Sequence, residues 1–251
     1  LIRAQAAGYG CVYFAAEMLA TRNMTLDGQV CLVSGSGNVA QHTTEKLIEL
    51  GANVVTLSDS AGYIYDPEGI DKNKLAFVKR LKNIRRGRIK DYVDNYPGAI
   101  YTQTDISRQN NPLWTHRASC AFPCATQNEI SEEDAYALIN NNVKLVCEGA
   151  NMPCTPEATA IFLSKPILYA PGKAANAGGV AVSGLEMVQN SQRLNWLAEE
   201  VDARLKIIMK GIHTTCLQAA EAYGTPGNYL NGANIAGFVK VVEAMLDQGV
   251  V

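Results

Sequence analysis

The chain of 251 residues carries 22 Lys and Arg against 24 Asp and Glu, a net charge of −2, with 47% hydrophobic and 18% charged residues. That balance supports a sizeable buried core, in one large α/β domain or two small ones, and leaves out the basic stripe that nucleic-acid binding needs. No apolar run approaches the roughly 18 residues of a membrane-spanning helix, and the opening LIRAQAAGYG has neither the charged nor the apolar region of a signal peptide and no initiator Met, which points to a fragment or a processed chain.

Residues 1–24 place Tyr9, Val12, Tyr13, Ala16 and Leu19 on one helical face. Residues 29–34 are a continuous apolar run ending at glycine, the pattern of a buried parallel strand. A helix over 38–50 follows, with Val39, Leu47, Ile48 and Leu50 at helical spacing and Gly51 to end it. Residues 53–59 read as the next strand and 72–93 as one charged amphipathic helix. Two further strands are expected at 99–102 and 118–123, separated by a polar loop. Ser131 opens a capping-box-like helix start over 131–141. Residues 143–149 form a strand, 155–163 a helix with Pro156 near its first position, and 166–171 a last short strand. From about 176 the pattern is helical, over 178–190, 195–223 and 232–248. Alternating strands and helices up to about 171 predict an α/β fold, a doubly wound (Rossmann-like), mostly parallel sheet with a C-terminal helical segment. The division expected is a dinucleotide-binding unit over 1–190 and C-terminal helices over 191–251.

Gly35, Ser36, Gly37, Asn38, Val39 and Ala40 fit the pattern G-x-G-x-x-A between a strand and a helix, with Asp59 ending the next strand about 20 residues on. Gly35 permits a tight turn, Gly37 lets backbone approach a pyrophosphate, and Ala40 lets the helix lie close on the strand. The helix N-terminus then offers amides and a positive dipole end to phosphates. Asp59 can bind a ribose 2′-hydroxyl, as in NAD enzymes. Ser60 beside it, and the basic residues downstream from Lys79 to Arg88, can instead accommodate a 2′-phosphate; a solvated helix face is the competing reading of that basic run. The stretches PCATQNE, EGANMP and APGKAANAGGVAVSGLEM each follow a strand, on the rim where ligands bind in open α/β sheets. Asn128, Asn151 and Asn176 can bond a carboxamide or ribose there, against the alternative of shaping turns.

Seven cysteines, an odd number in mostly apolar surroundings, read as buried thiols in a reducing compartment. Cys120 and Cys124 lack a second ligand pair, so no metal site is expected.

GSGNVAQ, PCATQNE, EGANMP, PGKAANAGGVAVSGLEM, VDARL and GANIAGFVKV together resemble the cofactor-binding region of the NADP-dependent glutamate dehydrogenases, hexameric members of the glutamate/leucine/phenylalanine/valine dehydrogenase family. The resemblance runs from about residue 2 to residue 251. It implies an enzyme interconverting L-glutamate with 2-oxoglutarate and ammonia, with NADP as cofactor rather than NAD, a homohexamer in the cytoplasm, and no nucleic-acid or membrane partner. It also implies a preceding substrate domain that carries the catalytic Lys and Asp, and final helices that pack back on it. By residue, Asn38 and Val39 match phosphate-loop contacts, and Ala125 and Thr126 the stretch beside the cofactor ribose. Asn151 and Asn176 match positions near the nicotinamide, and Lys82 and Arg85 the basic residues at the 2′-phosphate. Ser183 matches the serine that bonds the substrate's side-chain carboxylate, and Val180 lines that pocket.

Three departures stand out. Ala7 replaces a cofactor-contacting threonine of the family pattern, a loss of about 0.5–1.5 kcal/mol for an ordinary hydrogen bond. Ser119 replaces a common aspartate, and 98–113 is lengthened. Within the chain, Lys173 has no partnered acid, and His42, His116 and His213 lie in different elements, so no catalytic residue is assigned. The chain is expected to bind cofactor and to be inactive alone. A truncated, non-catalytic NADP(H)-binding module or sensor is the alternative. A leucine- or phenylalanine-type dehydrogenase is disfavoured, because an apolar pocket has no use for the Ser183 hydroxyl.

Overall fold

The computed structural model describes residues 3–105 and 110–249. Its strands are β1 (Val30–Val33), β2 (Asn53–Val54), β3 (Thr56–Asp59), β4 (Gly62–Tyr65), β5 (Ile100–Gln103), β6 (Cys120–Phe122), β7 (Leu145–Cys147) and β8 (Leu168–Ala170). The helices are α1 (Ala6–Ala20), α2 (Asn38–Glu49), α3 (Lys72–Lys79), α4 (Tyr92–Asn95), α5 (Glu132–Asn140), α6 (Pro156–Ser164), α7 (Gly172–Ala175), α8 (Gly178–Gln192), α9 (Ala198–Ala222) and α10 (Tyr229–Gln248).

A parallel sheet runs β2-β1-β6-β7-β8, with Leu32 opposite Ala121, Ala121 opposite Val146, and Val146 opposite Tyr169. Those four residues point to one face, where Trp114, Ala135, Leu138, Ala158 and Phe162 cover them. Their neighbours Cys31, Val33, Cys120, Phe122, Leu145 and Cys147 point to the other, beneath α1, α2, α8 and α9. Both faces are thus apolar, which is why each strand reads as an unbroken hydrophobic run. Full burial of a side chain such as Phe122 contributes about 1.5–3 kcal/mol. The expected α/β, doubly wound architecture with a helical C-terminal segment is the one observed.

Helix ends follow local chemistry. Ser131 Oγ accepts the Asp134 amide at 3.2 Å and Asp134 Oδ2 accepts the Ser131 amide at 3.0 Å, a reciprocal cap on α5. Thr155 caps α6 ahead of Pro156.

Three expectations are corrected. The strand expected over 53–59 divides at Val55: beyond it, the hydroxyls of Thr56 and Ser58 accept the amides of Val33 (2.9 Å) and Gly35 (2.7 Å), and only the Ser58 amide, to the Gly35 carbonyl at 3.0 Å, continues the backbone bonding to that chain segment. The other edge of β3 pairs antiparallel with β4, a strand the sequence pattern does not mark. The strand expected at 99–102 is β5, which joins β4 in this small second sheet rather than the parallel one. The single helix expected over 72–93 ends at Lys79, continues as one π turn over Arg80–Ile84, breaks at Arg86 (φ 53°) and Gly87, and resumes as the short α4. Asp59 causes that break by drawing in the Ile89 amide at 2.8 Å.

Candidate functional site

From β1 the chain crosses to β2 on one side and later returns to β6 on the other, so the strand order reverses between β1 and β6. Crevices at such a reversal, beyond the strand C-termini, are where open α/β sheets hold ligands. Here the loop after β1 meets the loop after β6. Gly35 has φ +84°, and a Cβ placed on it would lie 2.9 Å from the Cys124 carbonyl oxygen and 3.1 Å from Ala125 Cα. Only glycine satisfies both the dihedral and the approach. Ser34 ties the same two loops, its Oγ accepting the Cys124 amide at 2.9 Å.

Gly37 is the N-cap of α2, exposed, with open space where a Cβ would point. The first-turn amides of α2, around Asn38 and Val39, lack intrahelical acceptors by construction and face this opening. Ser36 is buried, and its carbonyl accepts Gln41 Nε2 at 2.8 Å. Asn38 donates to the Ala4 carbonyl at 2.6 Å, while Ala40 is buried. A phosphate group fits this end of α2 by charge and by space.

A cleft of about 880 Å³ lies on the outer side of the loop after β6, walled by Ser58, Asp59 and Ser60 on one side and Ala125, Thr126 and the start of α5 on the other. Asp59 does not reach freely into it. Its Oδ1 accepts the Ala61 amide at 2.9 Å, and its Oδ2 accepts Ile89 N at 2.8 Å and faces Lys82 Nζ at 3.5 Å. Burial opposes its charge, but these two amides and the ammonium prevail and hold the carboxyl below its usual value. Lys82 also donates to the Gly87 carbonyl at 3.0 Å, so two of its three donors are engaged inside the loop. Arg85 is exposed at the end of the π turn. Arg88 Nη1 donates to Ser60 Oγ at 2.9 Å, on the cleft wall.

The loops after β7 and β8 close the other end. Asn176 Nδ2 bonds Asn151 Oδ1 at 2.7 Å, so the two asparagines singled out in separate motifs are brought together. Asn128 (φ 56°) donates its amide to the Met152 carbonyl at 3.0 Å and joins the β6 and β7 loops. Gly149 packs where a Cβ would meet Cys124 Sγ and Val39 Cγ1, so the loops after β1, β6 and β7 converge on one point. On α8, Val180 is 73% exposed, and Ser183 Oγ accepts Arg3 Nε at 2.9 Å. Ala7 faces Gly179 across the contact of α1 with α8.

A model of the Glutamate/Leucine/Phenylalanine/Valine dehydrogenase family matches residues 1–249. The chain belongs to this family. Its whole length aligns with the glutamate dehydrogenase of Bacteroides thetaiotaomicron (56% identical over 255 residues, 55% of that protein) and with the NADP-specific glutamate dehydrogenase of Haemophilus influenzae (54% identical over 251 residues, 54% of that protein). Among solved structures, a glutamate dehydrogenase of Plasmodium falciparum superimposes with a TM-score of 0.94 at 45% identity, covering 100% of this chain and 52% of that one. The chain spans about half the length of the curated relatives it matches.

Sequence reasoning on this member of the dehydrogenase family misses the side chains that hold the loops. Glu148, buried at the end of β7, accepts Tyr169 Oη at 2.7 Å and the Gly172 amide at 2.6 Å, and so fixes the turn that presents Asn176. Glu129 accepts the amides of Ala125 (2.9 Å) and Thr126 (3.3 Å). Glu129 is half-buried on the cleft wall; the protein packed around its carboxyl pushes it up, the Ser34, Ala125 and Thr126 donors oppose that, and Asp134 adds to it, leaving a value of about 7. Both acids sit inside the quoted motifs, and that position was the available signal. The residues weighed for acid–base work are occupied elsewhere. Lys173 donates to Asn234 Oδ1 at 2.7 Å, His42 faces Glu45 at 2.8 Å, His116 stacks on Tyr65, and His213 bonds Tyr229 Oη at 3.0 Å. All seven cysteines are free and buried, and no cluster able to hold a metal ion occurs among the described residues. No helix among them is long and apolar enough to cross a membrane.

Proposed function

We propose that this chain is the NADP(H)-binding half of a glutamate dehydrogenase, which interconverts L-glutamate with 2-oxoglutarate and ammonia. The observation that carries this reading is the convergence of the loops after β1, β6 and β7 at the strand-order reversal, beside the open N-terminus of α2, in a member of this family. The names of several relatives add NADP specificity. When bound, the dinucleotide supplies the hydride chemistry; the chain's residues hold and orient it. Gly35, Ser36, Gly37, Asn38 and Val39 seat the pyrophosphate. Ala125 and Thr126 flank a ribose, and the Asn151–Asn176 pair lies at the carboxamide end.

Arg88, held on Ser60, reads the 2′-phosphate with exposed Arg85, while Lys82 serves the loop by neutralising Asp59. The far wall of the cleft, with Glu132, Glu133 and Asp134, repels a phosphate and keeps it on the Arg88 side. Arg3, Val180 and Ser183 face the substrate, and Ser183 with an adjacent guanidinium suits a dicarboxylic substrate. The acid–base Lys and Asp belong to a preceding domain. The apolar residues Ile207, Phe238, Val241 and Leu246, exposed on α9 and α10, pack on that domain, so that 1–190 and 191–251 divide the labour between cofactor and docking. A cytoplasmic homohexamer is part of the same reading, and the reduced, buried cysteines accord with it.

Thermal unfolding with NADPH and with NADH tests this. NADPH stabilises the chain more than NADH at equal concentration. Equal or larger stabilisation by NADH overturns the 2′-phosphate assignment, and no stabilisation by either overturns the cofactor reading.

A further inference from the structure

The loop after β6 carries no regular structure at 123–129, yet it forms one wall of the crevice. Loops of this kind wander unless their backbone groups are tied down. Here one side chain does most of the tying. Two successive amides, Ala125 N and Thr126 N, turn inward to the same oxygen, Glu129 Oε1, so that Ala125 and Thr126 turn outward and are exposed on the cleft wall. The Ser34 hydroxyl, on the residue that links the end of β1 to Cys124 and immediately precedes Gly35, is near enough to the Glu129 carboxyl to favour its charged form. The reach is made possible by Asn128, which sits in the left-handed region and folds the loop back on itself. The titratable groups that face the carboxyl are Asp134 at the start of α5, Cys124 in the loop and Cys154 after β7. The donors that hold it are all neutral, so its work is hydrogen-bond acceptance rather than ion pairing.

We propose that Glu129 is a positioning residue for the dinucleotide crevice, locking the loop after β6 onto the end of β1 and so setting the width into which a ribose enters. This rests on the cofactor reading above. A half-buried acceptor that gathers two loop amides, with the Ser34 hydroxyl at the end of β1 beside it, couples the two walls of the crevice mechanically. Losing it leaves two inward amides unpaired and frees Ala125 and Thr126 to move relative to Gly35. Glutamine offers a carbonyl oxygen at the same reach and keeps the two amide bonds without charge.

The test uses the full chain as wild type, Glu129→Gln and Glu129→Ala, with fold integrity checked by circular dichroism. Binding of NADPH is followed by its own fluorescence, and residue-resolved amide exchange is read at 125 and 126 without ligand. Glu129→Ala speeds exchange at those two amides and weakens NADPH binding on the order of ten-fold. Glu129→Gln restores both to within about two-fold of wild type. If Glu129→Ala binds NADPH like wild type while exchanging faster, Glu129 supports the fold but does not position the crevice. If Glu129→Gln fails as badly as Glu129→Ala, acceptance of the loop amides is not its role. If wild type binds no NADPH, the cofactor reading falls and this proposal with it, whereas normal wild-type binding with unaltered exchange in Glu129→Ala sinks the positioning role alone.

Discussion

Replacing Glu129 by Gln should make the protein more stable at alkaline than at acid pH relative to wild type. The Glu129 carboxyl stands near 7 in the folded chain against an ordinary value of 4.5, chiefly because burial disfavours its charge. Below 4.5 the group is protonated in both folded and unfolded chains and contributes no pH dependence. Between 4.5 and 7 the unfolded chain has released the proton while the folded chain keeps it, so stability falls as pH rises. Above 7 the folded chain ionises too and the loss is complete. A displacement of that size is worth at most about 3 kcal/mol, of which up to about 2.5 kcal/mol accrues between about pH 5 and pH 8, less to the extent that the half-buried carboxyl meets water. Glutamine keeps the acceptor and removes the titration. Urea unfolding of wild type and Glu129→Gln at pH 5 and pH 8 isolates the effect, because the titrating groups that do not face Glu129 cancel in the difference, and those that do, Asp134, Cys124 and Cys154, titrate outside this interval or in step with it. Glu129→Gln should gain about 1–2.5 kcal/mol on wild type between the two pH values. A pH-independent difference, or one below about 0.5 kcal/mol, would show that the carboxyl is solvated and that its burial costs nothing.

Two further substitutions probe the frame of the site. Gly8→Ala places a Cβ 2.5 Å from Thr43 N and 2.9 Å from the Val39 carbonyl oxygen, both backbone, so α1 must move off α2; a loss of about 1–3 kcal/mol in urea unfolding is expected, and a change under about 0.5 kcal/mol would mean that the two helices are not held this close. Arg88→Ala removes the guanidinium held on Ser60 and should weaken NADPH binding several-fold more than NADH binding in paired titrations, an equal loss for both ruling Arg88 out as the 2′-phosphate contact.

The parts of the site legible in the sequence are those where the chemistry demands a particular small residue or a turn. Gly35 is readable because nothing larger fits between β1 and the loop after β6, and Ala40 because α2 lies against the sheet. Buried parallel strands are readable because both faces are covered, and α5 because its reciprocal cap is local. Commitments between distant side chains leave no such mark. Thr56 and Ser58 look like ordinary strand residues, yet their hydroxyls accept amides of Val33 and Gly35 that a regular ladder would give to backbone, where one expected strand divides between two sheets. The apolar spacing over 72–93 is continuous, and nothing local says that Asp59 will seize the Ile89 amide and end the helix. The same capture redistributes the charges. Lys82 and Arg88 are equivalent cations in the sequence, but only after Asp59 engages Lys82 does Arg88 remain as the one placed on Ser60 at the crevice wall. Motif spacing therefore locates a crevice of this kind well, while the identity of the residue that meets a ligand's charge is decided by which cations the fold has already used.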